Sequence, residues 1–493
     1  MIDLSINKEQ LERTVERARE RGIIIPSFEE MKNPDLIPPE IKEELQKLSL
    51  WEIDSHNLFR ISWQNEPVQQ GGLFGGVNYL ELPRELTGVK ARIIGLVGKW
   101  MPTGAHKVGA TFGCLVPRLI TGQFDPTTQR AAWPSTGNYC RGGAYNSQLL
   151  ACDSIAILPE GMSQERFDWL SEVAGEVIAT PGTESDVKEI FDQCWELRES
   201  REDVVIFNQF DELGNHLWHY EVTGRAMEET LEEVMSSRDN YRGLVLASGS
   251  GGTLAAGDYL KELYPESKIA VCEALQCPTL LNNGFGSHRI EGIGDKHVPW
   301  IHNLRNTDLI IAVDDHHPLA LLRLFNEPAG REYLLERAIP VETVERLSLM
   351  GISSLCNMVG AIKLACYYQL TEEDVLLTVF TDSAELYASR LREMEEELGR
   401  YQRERALMDY HQHLSSLSTD YLQELTLEDQ RRIHNLKYYT WIEQQGKELD
   451  ELNAQWHDYQ EYWGNLHQMT GRIDRLIKEF NDRTGLLKQL KEG

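Results

Sequence analysis

The stretch that decides the fold is Met101-Pro102-Thr103-Gly104-Ala105-His106-Lys107-Val108-Gly109. A run of strand-forming residues, 91–98, precedes it, and an apolar-periodic run, 108–120, follows it. The proline and glycine predict a tight turn, so Lys107 is expected at the start of a helix. The helix dipole and partial burial both favour the neutral amine, the form that attacks a carbonyl carbon. Lys107 is therefore a candidate Schiff-base lysine, and a solvated lysine at a helix start is the alternative.

Length, charge and cysteine content narrow the class of protein. The chain has 493 residues, enough for two or three domains, and a formal net charge of -29. Such an acidic chain is not expected to bind nucleic acid or an anionic membrane. Its eight cysteines show no CxxC pair or metal-type spacing, which indicates reduced thiols, no metal site and a cytoplasmic location. No signal peptide is recognisable, and no apolar run approaches the roughly 18 residues that span a bilayer.

The chain divides into three regions of different pattern. Residues 1–77 are predicted to be a charged helical leader with loops, and 391–493 a helical extension rich in tryptophan and tyrosine. Between them, 78–390 alternates short apolar runs with longer amphipathic ones, which is typical of parallel sheets covered by helices. A smaller subdomain is expected around 110–220. The predicted strands are 91–98, 130–133, 154–158, 176–179, 204–207, 243–247, 268–272 and 375–380.

Four turns in the central region carry unusual residues. The turn 134–139 offers hydroxyls, an amide and helix-start N–H groups to a carboxylate or phosphate, with an ordinary capped helix as the alternative. The turn 247–253 follows a predicted strand and is expected to form a phosphate cup, although it lacks the P-loop lysine and the GxGxxG spacing. The glycines of 291–295 could lie along a flat ring, and the hydroxyls of 381–385 could meet a ring nitrogen. Together with Lys107, these turns describe a pyridoxal phosphate (PLP) site.

The order of these motifs resembles that of the cysteine synthase and tryptophan synthase β superfamily, the fold-type-II PLP enzymes, over about residues 78–390. The segment 103–107 is similar to the lysine motif of tryptophan synthase β. The other resemblances are to cysteine synthases: 135–138 to the substrate-carboxylate loop, 208–224 to the segment whose glutamine meets that carboxylate, 249–253 to the phosphate loop and 351–354 to the closing segment. The resemblance implies two open, doubly wound, mostly parallel α/β sheets, PLP as the cofactor and a homodimer.

The resemblance also implies the residues of the site. Lys107 is the implied catalytic residue, because it would hold the cofactor and then remove the substrate α-proton. The implied cofactor-binding residues are Lys107, Asn138, Gly249, Ser250, Gly251, Gly252, Thr253, Gly292 and Ser383. The implied substrate-binding residues are Ser135, Thr136, Gly137, Asn138, Tyr139 and Gln209. The partner of the ring nitrogen is open among Thr381, Asp382 and Ser383, and Ser383 is favoured; bulky Tyr139 departs from the family pattern beside the carboxylate.

The implied reaction is β-replacement or β-elimination on a serine- or cysteine-type amino acid through an aminoacrylate intermediate, most like that of cysteine synthase. A thiol or sulfide would be the nucleophile of a replacement. Two alternatives stay open: an ammonia-lyase or dehydratase of the diaminopropionate or serine/threonine type, and a non-catalytic PLP-fold scaffold. The aromatic extension is expected to dock on the catalytic core or across a dimer. His411 and His413, two residues apart in a helical pattern, are predicted to be solvated.

Overall fold

A seven-stranded mixed sheet forms the larger layer of a computed structural model that describes residues 1–67, 70–135, 137–183, 186–294 and 296–492. Its strands are β1 Tyr79–Leu82, β2 Arg92–Val97, β7 Asn240–Ala247, β8 Lys268–Ala274, β9 Leu309–Val313, β10 Asp374–Phe380 and β11 Leu422–Glu424. They lie in the order β1-β2-β10-β7-β8-β9-β11. The pairs β1–β2 and β9–β11 at the two edges are antiparallel, and the four inner pairs are parallel.

A second, smaller sheet is parallel throughout. Its strands are β3 Arg130–Pro134, β4 Asp153–Pro159, β5 Glu176–Thr180 and β6 Val204–Ile206, in the order β5-β4-β3-β6. The central strands of both sheets are buried on both faces, because helices cover each side, and they read as continuous apolar runs. The predicted α/β class with two mostly parallel sheets is confirmed. The boundaries at residues 77 and 390 stay a prediction.

Helices cover the sheets and form the two ends of the chain. Those of residues 1–90 are α1 Lys8–Glu20, α2 Phe28–Lys32, α3 Pro39–Leu45 and α4 Arg84–Thr87. Those of the central region are α5 Lys107–Thr121, α6 Asn138–Leu149, α7 Gln164–Val173, α8 Val187–Ser200, α9 Leu213–Trp218, α10 Gly224–Val234, α11 Ala255–Leu263, α12 Thr279–Asn282, α13 His316–Asn326, α14 Pro328–Glu336, α15 Val341–Arg346, α16 Ile352–Tyr367 and α17 Ala388–Leu398. Those of the predicted extension from residue 391, here called the tail, are α18 Arg403–Tyr410, α19 Leu427–Lys437, α20 Leu449–His457, α21 Tyr459–His467, α22 Thr470–Thr484 and α23 Leu486–Glu492. None of the described helices is long and apolar enough to cross a bilayer.

The tight turn predicted before Lys107 is present, and it explains where α5 begins. Thr103 and Gly104 both have positive φ angles, 66° and 69°, which reverse the chain after β2. The ring of Trp51 would lie 2.7 Å from a Cβ atom at Gly104, so this turn has no room for a side chain there. The helix therefore starts at Lys107, whose side chain projects from the first turn of α5.

The leader and the tail pack on each other and on α5. The side-chain amide of Asn481 donates to Ile25 O (2.8 Å) and accepts from Ile25 N (3.1 Å), as a neighbouring strand would. The carboxylate of Asp474 accepts from the backbone N–H of Phe28 (2.8 Å) at the start of α2. Apolar residues of α1, α5 and α22 share one buried cluster. The two ends of the chain thus enclose the helix that carries Lys107.

The aromatic residues of the tail dock on the central region, as predicted. Trp441, Tyr462 and Trp463 are buried against Phe210 and Trp300 in a separate apolar cluster. The tail is not wholly helical, because β11 adds an edge strand to the larger sheet. Its short polar sequence carried no strand signal.

The prediction that His411 and His413 are both solvated is wrong for His413. A π-helical turn over His411–Ser415 directs His413 inward, where its Nδ1 atom lies 3.0 Å from Nδ1 of His317. His413 is 5% exposed, whereas His411 is exposed. The wider helical turn changes the face on which each histidine lies.

Candidate active site

A cavity lies at the carboxyl ends of β7 and β10, where Lys107 faces residues 249–253, here called the cup. Nζ of Lys107 donates a hydrogen bond to Oγ of Ser250 at 2.8 Å. The described lining residues are His106, Lys107, Leu246, Ala247, Gly249, Ser250, Gly251, Thr253, Gly292, Ile293, Ser353, Asn357, Val379 and Thr381. The fold thus brings together the lysine turn, the cup, the glycine turn at 291–294 and the segment after β10.

The cup is shaped to accept an anion. Oγ of Ser250 accepts from Lys107 and, at 3.0 Å, from Nδ2 of Asn215, so its own O–H remains a donor. Gly251 has a φ angle of 78°, and a side chain at Gly252 would collide with Oδ1 of Asn215. A 3-10 turn begins inside the cup at Gly252, and α11 follows at Ala255, so helix-start N–H groups lie at this end of the sheet.

The polar groups of this cavity fit the three polar parts of PLP. Lys107 supplies a primary amine, and the cup supplies donors for a phosphate. Oγ of Ser353 is buried and has no hydrogen-bond partner within the described residues. Gly292 lies beside it, since a Cβ atom there would be 3.6 Å from that oxygen. The amine of Lys107 suits the aldehyde of PLP, the cup suits its phosphate, and the unpartnered hydroxyl of Ser353 suits its ring nitrogen.

The segment after β10 does not place Ser383 in this cavity. Thr381 lines the cavity, whereas Ser383 is buried outside the described lining. The carboxylate of Asp382 also turns away, because it accepts from Nδ2 of Asn138 (2.7 Å) and from the hydroxyl of Tyr387 (2.8 Å). Outside the cup, the hydroxyl-bearing residues of the described lining are therefore Thr381 and Ser353. Ser383 as the partner of the ring nitrogen stays a prediction.

Asp382 belongs to a buried network that joins the two sheets at the mouth of the site. Nη2 of Arg166 lies 3.7 Å from Oδ2 of Asp382, and the same guanidinium pairs with Glu291. Burial raises the pKa of Asp382, while Arg166 and the hydrogen bond from Asn138 act in the opposite direction. Arg166 packs directly on Gly137, which leaves no room for a side chain there. The network thus ties the 135–138 loop of the smaller sheet to the strand end of the larger one.

The predicted substrate loop lies beside this network, but the side chain of Tyr139 points away from it. Oγ of Ser135 accepts from Gly137 N (3.1 Å), which closes the turn before α6. Thr136, also predicted to bind substrate, lies outside the described residues. Tyr139 points into the core, where its hydroxyl contacts Sγ of Cys114 (3.4 Å) and its ring packs on Trp133. The side chain of Tyr139 is therefore a core group and is not carried forward as a substrate contact.

Gln209 is connected to the cup by hydrogen bonds of Asn215. The amide of Asn215 donates to Gln209 O at 3.0 Å and to Ser250 at 3.0 Å. Gln209 itself is 5% exposed. The segment predicted to meet a substrate carboxylate is therefore one hydrogen bond from the cup.

The cavity wall behind Lys107 is uncharged. His106 is buried, and burial followed by the charge of Lys107 lowers its pKa well below the ordinary range. Its ring meets that of His219 edge to face at 4.9 Å, and burial lowers the pKa of His219 in the same way. Both imidazoles are neutral, so Lys107 is the cationic side chain of the described lining.

Three residues of the site were not assigned roles from the sequence. Asn357 bridges two strand ends, since its Oδ1 accepts from Ala247 N (2.7 Å) and its Nδ2 donates to Val379 O (2.8 Å). Asn215 and Ser353 lie inside motifs quoted above, but nothing local shows where their side chains point. The family motifs could have predicted Asn215 and Ser353 as site residues, because both lie inside them. Nothing in the sequence around Asn357 predicts its role.

The fold and this cavity define a PLP-dependent enzyme of the tryptophan synthase β-like class. Residues 98–382 match the family described as pyridoxal-phosphate dependent enzyme, and the chain belongs to that family. The predicted cofactor, enzyme class and superfamily are confirmed. At the level of reaction class, β-replacement or β-elimination is also confirmed.

Two curated proteins and one solved structure are similar to this chain. Cystathionine beta-synthase of Saccharomyces cerevisiae is 26% identical over 328 residues, which cover 63% of this chain and 59% of the yeast protein. A probable cysteine synthase of Bacillus subtilis is 27% identical over 289 residues, covering 58% of this chain and 85% of the relative. The solved hydrogen sulfide-producing enzyme of Fusobacterium nucleatum has a TM-score of 0.54 at 25% identity, covering 67% of this chain and 92% of that chain.

Proposed function

We propose that this protein catalyses β-replacement on a serine- or cysteine-type amino acid, with Lys107 as the lysine that holds PLP and a thiol or sulfide as the nucleophile. The observation that carries the proposal is the 2.8 Å contact between Lys107 Nζ and Ser250 Oγ, which puts the amine against the anion cup. Names of relatives, among them the probable cysteine synthase and cystathionine beta-synthase, support this choice of reaction.

Residues of the cavity would hold the cofactor in three places. Lys107 would hold the aldehyde end, and Gly249, Ser250, Gly251, Gly252 and Thr253 the phosphate. Gly292 leaves a flat surface for the ring, and Ser353 or Thr381 offers a neutral hydroxyl to its nitrogen. When bound, PLP supplies an electron sink that stabilises negative charge at the substrate α-carbon. A hydroxyl partner leaves the ring nitrogen unprotonated, which favours β-chemistry over transamination.

Lys107 would also have a second role, as the base that takes the substrate α-proton. Its Nζ lies in the cavity and its backbone is fixed by α5. Ser250 Oγ contacts that nitrogen and would orient it. The chain thus supplies both the attachment point and the base from one side chain.

We propose that the substrate carboxylate binds the loop Ser135, Thr136, Gly137 and Asn138, with Gln209 opposite. Gly137 N already donates to Ser135, and α6 begins at Asn138, so helix-start N–H groups face this loop. Asn138 now donates to Asp382. We expect the substrate carboxylate to draw this Nδ2 donor away from Asp382, because the Nδ2 end of the amide is the end that donates.

The alternative is an ammonia-lyase or dehydratase on the same cofactor. In that reaction the β-substituent leaves and no nucleophile adds at the β-carbon. Water then hydrolyses the released enamine at its α-carbon, which gives a keto acid and ammonia. The experiment is to supply O-acetyl-L-serine, L-serine and L-cysteine to the PLP-loaded protein, each with and without sulfide. A new sulfur amino acid that appears only with sulfide supports the proposal. Keto acid and ammonia at the same rate in both conditions would establish the lyase.

The hydroxyl that meets the ring nitrogen can be identified by a matched pair of variants. We expect Ser353→Ala to lower the affinity for PLP about fivefold to tenfold, because it removes the buried, unpartnered hydroxyl of the cavity. Ser383→Ala is the control, and we expect little change because Ser383 lies outside the described lining. PLP titration of the apoprotein by absorbance measures both; a loss confined to Ser383→Ala would restore the choice made from the sequence.

We further propose a cytoplasmic homodimer. All eight cysteines are free thiols, seven of them buried, which suits a reducing compartment. Sedimentation of the purified protein tests the dimer, and a monomer at micromolar concentration would contradict it.

A further inference from the structure

The tail packs against segments that border the cup, although it lies outside the family match, which ends at residue 382. None of the described residues that line the Lys107 cavity belongs to the tail. Two polar side chains of the tail, half-buried His467 and buried Lys437, nevertheless contact segments that border the cup on two sides. Each contact is one residue or one packing layer away from residues 249–253.

The first contact is a hydrogen bond between two histidines. Nε2 of His467, the last residue of α21, lies 3.1 Å from Nε2 of His216 in α9, and the rings are coplanar within 4°. Nδ1 of His216 lies 3.2 Å from Ile301 O, and a carbonyl only accepts, so His216 carries its proton on Nδ1. His467 is therefore the donor. Burial lowers the pKa of His216 to about 3, so the acceptor nitrogen stays free at neutral pH.

The backbone of α9 links this hydrogen bond to the cup. His216 follows Asn215, whose amide donates to Ser250 Oγ at 3.0 Å. The same Ser250 oxygen accepts from Lys107 Nζ. His467 is also held in place by the ring of Tyr220, stacked at 3.5 Å. A tail residue is thus connected to Ser250 through α9.

The second contact supports the cup from behind Gly251. Nζ of Lys437 is buried and donates to Trp300 O, His302 O and Gln455 Oε1, each at 2.8 Å. Three acceptors use all three protons of the ammonium, which holds the 300–302 segment against the tail. A Cβ atom at Gly251 would lie 3.3 Å from Cβ of His302, so this segment forms the back wall of the cup.

We propose that the tail keeps the cup in its anion-binding shape, with His467 and Lys437 as positioning residues for cofactor binding. The proposal rests on the proposed function, in which residues 249–253 bind the phosphate of PLP. It assigns the tail to the cofactor site and not to an outside partner.

The test compares PLP affinity in two variants with matched controls. We expect His467→Ala and Lys437→Met each to weaken PLP binding about tenfold, since each removes a hydrogen-bond donor that positions a segment beside the cup. His457→Ala and Lys478→Met change exposed residues of the same tail and should leave the affinity unchanged. His467→Gln retains an N–H donor and should recover most of the affinity. The absorbance of lysine-bound PLP should shift in His467→Ala, because Ser250 contacts both Lys107 and Asn215.

The readouts separate this proposal from a general loss of stability. Affinity is measured well below the unfolding temperature of each apoprotein, so folded protein is compared with folded protein. Unchanged PLP affinity in both variants, with lowered unfolding temperatures, would overturn the positioning role. Zinc bound one to one in the wild type and lost in His467→Gln would also overturn it, because His216, Asp258 and His467 place ligand atoms within 4.8 Å of one another. A wild-type protein that binds no PLP would refute the proposed function itself.

Discussion

Replacing Lys107 by alanine should abolish covalent attachment of PLP and lower the rate of β-replacement by at least about 10³-fold. The side chain combines the attachment point and the base, so both are lost together. The fold should survive, because Lys107 is the first residue of α5 and alanine is a strong helix former. We expect the free energy of unfolding to change by about 1 kcal/mol or less.

Borohydride reduction followed by peptide mass spectrometry measures the attachment. Wild type should yield one modified peptide containing Lys107, and the variant none. Lys90→Ala is the matched control, since Lys90 is exposed and its ion pair with Glu372, at 4.0 Å, contributes little. A modified peptide that persists in Lys107→Ala would place the cofactor lysine elsewhere.

Replacing Trp441 by alanine should lower the free energy of unfolding by about 3–5 kcal/mol. Trp441 is fully buried, and its ring packs near those of Phe191 (6.2 Å) and Trp300 (6.3 Å). Its Nε1 donates to Val298 O at 2.8 Å, and the substitution would leave that carbonyl without this donor. The expected loss of stability has two causes: the substitution leaves a cavity, and it removes a buried hydrogen bond.

Tyr439→Ala is the control, two residues away in the same turn. Tyr439 is 60% exposed, so its substitution should change stability by no more than about 0.5 kcal/mol. Urea unfolding followed by circular dichroism compares the two without depending on tryptophan emission. Equal midpoints would mean that the tail docks without contributing to global stability.

Several features of the fold could be predicted from short stretches of sequence, because neighbouring residues determine them. The turn before Lys107 depends on Thr103 and Gly104, and the run after it has helical period, so α5 begins where it was expected. The eight predicted strands are present, each end within three residues of its expected place, since continuous β-branched and apolar runs suit strands buried on both faces. Three strands were missed: β1, β9 and β11. β9 is a run of only five apolar residues between two aspartates, and β1 and β11 are short edge strands that pair with β2 and β9.

By itself, the sequence determined the α/β class, the cofactor lysine candidate and the glycine cup, because turn chemistry and hydrophobic period act over a few neighbouring residues. Only the tertiary structure decided which hydroxyl meets the cavity, turning Ser353 toward it and leaving Ser383 outside the described lining. It also paired Asn138 with Asp382, 244 residues away, and His467 with His216, 251 residues away. The direction of a buried side chain depends on elements packed from distant parts of the chain, and no local pattern encodes that packing.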